Sequence, residues 1–227
     1  MSETAPPVAR SPIAASAATV VDGWEVSARA ATGASTLSDE TPLAKVLVRA
    51  PFDGASREAL GVRFGRTLRT DVGTGEVLLV GSAPGEWLAL GAPGTATALR
   101  AALEERLAGT GEFTSVLDLT HGRALLRLQG PAATTVLAGV CAIDFADGVT
   151  PDGSALRTSV AAVVTDVVRD DRGGTQRGGA ATPDANGGVR SYLLHCERSS
   201  GQYLWDALLD AGVPSAVEVT GFRGSSS

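Results

Sequence analysis

Lysine is almost missing from this chain. Of its nineteen basic residues only Lys45 is a lysine, and the arginines are spread along the whole length. A global bias of this kind reads as the signature of a high-GC genome; arginines gathered for a ligand would cluster. With a net charge of -6 and no basic stripe, the sequence excludes a phosphate-backbone reader. Aromatics are scarce at 4%, so Leu, Val and Ala must fill most of the interior. The two cysteines, Cys141 and Cys196, lie far apart and outside any Cys-x-x-Cys pair, which argues against a zinc site. Neither is a disulfide expected, because residues 1–18 do not read as an export signal: Glu3 is acidic, three prolines intervene and no continuous apolar core follows. No run of eighteen apolar residues occurs, so no membrane span is expected and the chain is placed in the cytoplasm.

What is present suits a folded α+β protein. The 227 residues, 44% of them apolar, suffice for one large domain or two small ones. Residues 1–18, rich in Ala, Ser, Pro and Thr, read as a disordered tail. Residues 19–223 read as the folded part, interrupted at 170–188 by a glycine-rich flexible loop between two strands.

Three stretches share one grammar of strand, short turn and helix. Glu86–Gly91 is followed by a helix from about Thr95 to Ala108, with Leu99, Ala102, Leu103 and Leu107 on one face. Ala124–Gln129, with Leu126 and Leu128 opposite Arg127 and Gln129, precedes a Gly-Pro and a helix to about Ala138. Ser191–Cys196 precedes a helix from Ser199 or Ser200, with Leu204, Ala207, Leu208 and Ala211 as its apolar face and Gly212 as its stop. Further strands are expected at 45–49, 75–81, 115–119 and 159–168. The pattern predicts split βαβ modules, with helices on one face of an antiparallel or mixed sheet.

Chemistry-bearing motifs are few. Gly73 and Gly75 begin a dinucleotide fingerprint, but Leu78 stands where its third glycine belongs. Within "DLTHGR", His121 between Asp118 and Arg123 admits an acid/base reading; a strand-joining turn with Asp118 or Thr120 bonding its backbone is favoured. His195 and Cys196 are neighbours on a strand and point to opposite faces, so they form no nucleophilic pair. Trp87 and Trp205 could stack on a flat ligand such as a pterin, but packing is the commoner use of Trp among aliphatics. No residue is singled out as catalytic, cofactor-binding or metal-ligating.

Several blocks together resemble the gamma subunits of heterotetrameric sarcosine oxidase: "RSPIA", "ETPLAKVLVRA" at 40–50, "GSAPGEWLALG" at 81–91, "VLDLTHGRALLRLQGPAATTVLAGVCAIDF" at 116–145, "PDGSALRTSVAAVV" and "SYLLHCERSSGQYLWDALLDAG". The resemblance covers roughly residues 10–212; the loop at 170–188 and the stretch after Ala211 look longer than the family pattern. It implies a fold akin to the folate-binding domains of the glycine cleavage aminomethyltransferase. It also implies alpha, beta and delta subunits as partners, which hold FAD, FMN, NAD, tetrahydrofolate and zinc and oxidise sarcosine to glycine. The one-carbon unit passes to tetrahydrofolate, and the gamma chain carries no catalytic residue. Rival readings are a stand-alone folate-binding one-carbon transfer protein and a free ligand-binding module. The "KGCYxGQE" signature of a third, the folate-binding iron-sulfur assembly proteins, is absent.

Overall fold

The computed structural model describes residues 7–171 and 189–222. Strands β1 (Ala9–Arg10), β2 (Ala18–Val21) and β3 (Trp24–Ser27) form a small sheet with β3 in the middle. Asp22 and Gly23 join β2 to β3, both at positive φ, as a two-residue type I′ hairpin requires. Trp24 and Val26 are buried with Phe222. The tail reading of residues 1–18 is therefore corrected where the structure describes them: Ala9 and Arg10 pair with β3, and Ile13 lies in a core. A Pro- and Ala-rich segment, too poor in apolar surface to fold alone, is held by docking onto the rest. Residues 1–6 and 223 fall outside the described residues.

After β4 (Thr36–Asp39) the chain builds two modules. The first comprises β5 (Ala44–Arg49), α1 (Ala55–Leu60), β6 (Thr67–Asp71), β7 (Glu76–Ala83), β8 (Glu86–Gly91), α2 (Ala96–Ala108) and β9 (Ser115–Asp118). Its sheet order is β6-β7-β8-β5-β9. Val46, Val48, Val77, Leu79, Trp87 and Ala89 alternate onto one face and pack against Leu60 of α1 and Leu99, Leu103 and Leu107 of α2. The second comprises β10 (Arg123–Gln129), α3 (Ala133–Val140), β11 (Ala155–Val160), β12 (Val163–Arg169), β13 (Ser191–Glu197), α4 (Gly201–Gly212) and β14 (Glu218–Thr220). Its sheet order is β11-β12-β13-β10-β4-β14. Leu126, Leu128, Val167 and Leu194 face Val136 and Leu137 of α3 and Leu204 and Leu208 of α4.

With β6, β11 and the inserted β4 set aside, both modules are β-α-β-β-α-β units with one strand order. The three sequence units are thus halves of two modules. The remaining half is β5 with α1, a six-residue helix too short to show a periodic face.

Each sheet carries its helices on one face, as expected. The opposite faces meet: Leu78, Val80, Leu88 and Leu90 pack against Leu125, Ala155, Val168 and Leu193. The layers therefore run helices, sheet, sheet, helices, which fits the α+β class.

Two expectations are corrected. The single strand at 159–168 is a hairpin of β11 and β12, turned at Ala161 (φ 47°) and Ala162 (φ 65°). Alanine gives no turn signal, so the run read as continuous. At the loop assigned to 170–188, residues 172–188 lie outside the described residues, whereas Asp170 and Asp171 are buried. Asp170 pairs with Arg69 (2.6 Å) and Arg127 (3.2 Å), and Asp171 with Arg169 (2.8 Å). The flanking β12 and β13 are antiparallel neighbours.

Candidate functional site

The sequence candidates do not come together. Asp118 caps its own turn, its Oδ1 accepting from the Thr120 amide at 2.8 Å, while Thr120 Oγ1 accepts from the Lys45 amide at 3.0 Å. The turn reading of "DLTHGR" is the one observed. His121 is exposed and its ring stacks on Trp24, with centroids 4.8 Å apart and planes 8° from parallel. Trp87 is buried in the first module's helix-facing core and donates Nε1–H to the Val62 carbonyl at 3.1 Å. Trp205 is buried in the second module's core. Neither ring offers a flat ligand a face. Cys141 and Cys196 are free, buried thiols, and burial pushes Cys196 up to about 11.

The polar groups that do converge lie between the two sheets, on the face opposite the helices. Alternation along β13 sends Cys196 into the helix-facing core and His195 to this inter-sheet face. His195 is 5% exposed, and its Nδ1 lies 3.3 Å from Asp166 Oδ2 across the β12–β13 ladder. Arg157 on β11 grips the same carboxylate, Nε to Oδ1 at 2.7 Å, and reaches Glu86 on β8 at 3.0 Å. Glu86 also pairs with Arg49 on β5 at 3.0 Å. The resulting chain, Arg49–Glu86–Arg157–Asp166–His195, bridges the two modules.

Burial disfavours the charged imidazole and holds the His195 pKa below its ordinary value, against the pull of Asp166. Burial alone would raise Asp166, but hydrogen bonds from His195 and Arg157 keep it below the usual carboxylate range. A neutral imidazole beside an ionised carboxylate donates Nδ1–H to it, which leaves Nε2 an acceptor. That Nε2 has no hydrogen-bond partner among the described residues.

These side chains line a cleft of about 250 Å³. Arg123 stands at it too, paired with Glu197 at 2.7 Å. Leu47, Leu88, Leu119 and Val164 supply its apolar surface. No single stretch of sequence announces this site, because its ionisable members come from six strands on two sheets.

Lys45 is the second unusual group. It is fully buried on β5, and its Nζ donates to the carbonyls of Thr41 (2.6 Å) and Leu43 (2.8 Å). Burial lowers its pKa from 10.5 to about 7, with Asp39 and Asp118 opposing the shift.

Among the described residues no group of three or more His, Cys, Asp and Glu side chains is placed to hold a metal ion, and no helix is long and apolar enough to cross a membrane. No protein-family model and no curated protein sequence matches the chain. Solved structures do. A chain of the heterotetrameric sarcosine oxidase from Corynebacterium sp. U-96, in complex with pyrrole 2-carboxylate, is 25% identical with a TM-score of 0.60; the match covers 82% of this chain and 87% of that one. The glycine cleavage system aminomethyltransferase T from Bartonella henselae is 19% identical with a TM-score of 0.65 over 90% of this chain and 55% of that one. This chain thus spans about half of the transferase and nearly all of the oxidase chain it matches, and its fold is the α+β fold of both.

Proposed function

We propose that this chain is the gamma subunit of a heterotetrameric sarcosine oxidase, an accessory subunit that docks on its partners and does no chemistry of its own. The observation that carries the reading is the likeness to a chain of that enzyme over most of both chains, at 25% identity. The ordered sequence blocks over residues 10–212 point the same way. In this reading the alpha, beta and delta subunits hold FAD, FMN, NAD, tetrahydrofolate and zinc. They oxidise sarcosine to glycine and pass the one-carbon unit to tetrahydrofolate. The runner-up is a stand-alone folate-binding one-carbon transfer protein, which the transferase likeness favours. Against it, the chain matches only 55% of that transferase, and both candidate stacking tryptophans are buried.

Co-expression with the cognate large subunits tests the proposal. The chain is expected to co-purify through a permanent interface of more than about 2,000 Å², and the isolated chain to be colourless and inactive on sarcosine. A chain that elutes as a monomer with every partner present overturns the subunit reading. Tetrahydrofolate binding by the lone chain in calorimetry favours the runner-up.

A further inference from the structure

We infer that the inter-sheet cleft at His195 is a binding site for a small carboxylic acid that carries an O–H or N–H donor beside its carboxylate. Three observations define that chemistry.

The first is the balance of donors and acceptors. Both Asp166 oxygens are engaged by Arg157 and His195, and both Glu86 oxygens by Arg49 and Arg157. A guanidinium has about five N–H groups, whereas the ion pairs of Arg49 and Arg123 at the cleft engage them through Nε and Nη1 respectively. The cleft is therefore rich in spare donors, and an arginine fork suits a carboxylate.

The second is His195 itself. Its side chain is more than nine-tenths buried, it lines the cleft, and its Nε2 is an acceptor without a partner among the described residues. Leaving a buried acceptor unpaired is costly. Nε2 is sealed from solvent in this conformation, so a ligand must shift a lining side chain to place an O–H or N–H there; one that does so satisfies it, and a plain carboxylate does not.

The third is the apolar wall of Leu47, Leu88, Leu119 and Val164, which accepts a short hydrocarbon substituent. The formal charges of Arg49, Arg123 and Arg157 balance those of Glu86, Asp166 and Glu197. Recognition thus rests on hydrogen-bond pattern, not on net charge, and simple anions are poor competitors.

The chain has two histidines, so one labelled sample holds both probe and control. With ¹⁵N-histidine in the full chain, L-lactate and L-alanine are titrated against propionate, which lacks the donor. The expected result is a saturable movement of the His195 Nε2 resonance with lactate, alanine or both at millimolar concentration. Propionate should leave it unmoved, and His121 should stay fixed. The comparison of lactate with alanine tells a hydroxy acid from an amino acid. Arg123→Gln, at a partly exposed position that does not endanger folding, is expected to weaken the effective ligand at least tenfold. His195 unmoved by both donors, equal movement with propionate, or equal movement of His121 would each overturn the site.

Discussion

Lys45 and His195 are both buried bases whose charged forms are disfavoured, and each leaves a mark on stability. The unfolded Lys45 amine keeps its proton to about pH 10.5, whereas the folded one releases it near 7. Between those values unfolding takes up a proton, so stability should rise with pH from 7 towards 10. Urea denaturation across that range checks this, and Lys45→Met should flatten the rise. His195 acts lower on the scale. Its folded pKa lies below the unfolded value of 6.5, so its contribution is present above pH 6.5 and is lost as the pH falls. His195→Phe should remove that part of the acid sensitivity. The groups acting on His195 are Asp166, which favours its charge, and Arg123 and Lys45, which oppose it. An acid limb as steep in the variant as in the parent would show that the imidazole is not the titrating group.

At the scale of elements, the β11–β12 turn stands out as built from the wrong residues. Ala161 and Ala162 both sit at positive φ, where an L side chain is strained. Replacing the pair by Asn-Gly supplies the residues a type I′ turn prefers and should stabilise the protein by about 1 kcal/mol, read as a higher urea midpoint at unchanged slope. Gly130 is the converse. Its φ is 103°, and a Cβ there would meet the Ala34 carbonyl oxygen. Gly130→Ala should cost on the order of 1–3 kcal/mol by the same measurement. On α4, Leu204 and Leu208 are both 0% exposed, so each Leu→Ala should cost about 2–5 kcal/mol. The long elements were legible in sequence because their apolar period is clear: Glu86–Gly91 and the helix ending at Ala108 stand where the pattern put them. The alanine turn was not legible, because its conformation is imposed by the β11–β12 ladder. Nor was the role of Arg127, whose alternation is correct but whose outward face meets a second sheet instead of water. It is 6% exposed and paired with Asp170. The cleft was hidden for the same reason: Arg157 and Glu86 are 71 residues apart and meet only because two sheets stack.

For the whole molecule, the stacked sheets and the ion chain across them make the two modules one cooperative unit. Each has its own reporter, Trp87 in the first helix-facing core and Trp205 in the second. In a variant that retains only one of the chain's three tryptophans, its fluorescence and the far-UV circular dichroism of the same sample should give coincident denaturation midpoints; separated midpoints would mean that the modules unfold independently. Asp170 is a sensitive polar point, because it answers Arg69 and Arg127 together and is 4% exposed. Asp170→Ala takes the nearer carboxylate from the buried Arg127 guanidinium and leaves it Glu40 at 3.9 Å and the Ser191 hydroxyl, and should cost up to about 3–5 kcal/mol, lowering both midpoints by the same amount. One consequence of the burial of Lys45 reaches into bench chemistry. With its only lysine side chain sealed between sheets, the folded protein shows acylating reagents no lysine at all. Acylation of that amine must wait for the molecule to open, so in excess reagent the rate at which Lys45 gains mass is a clock of native-state opening.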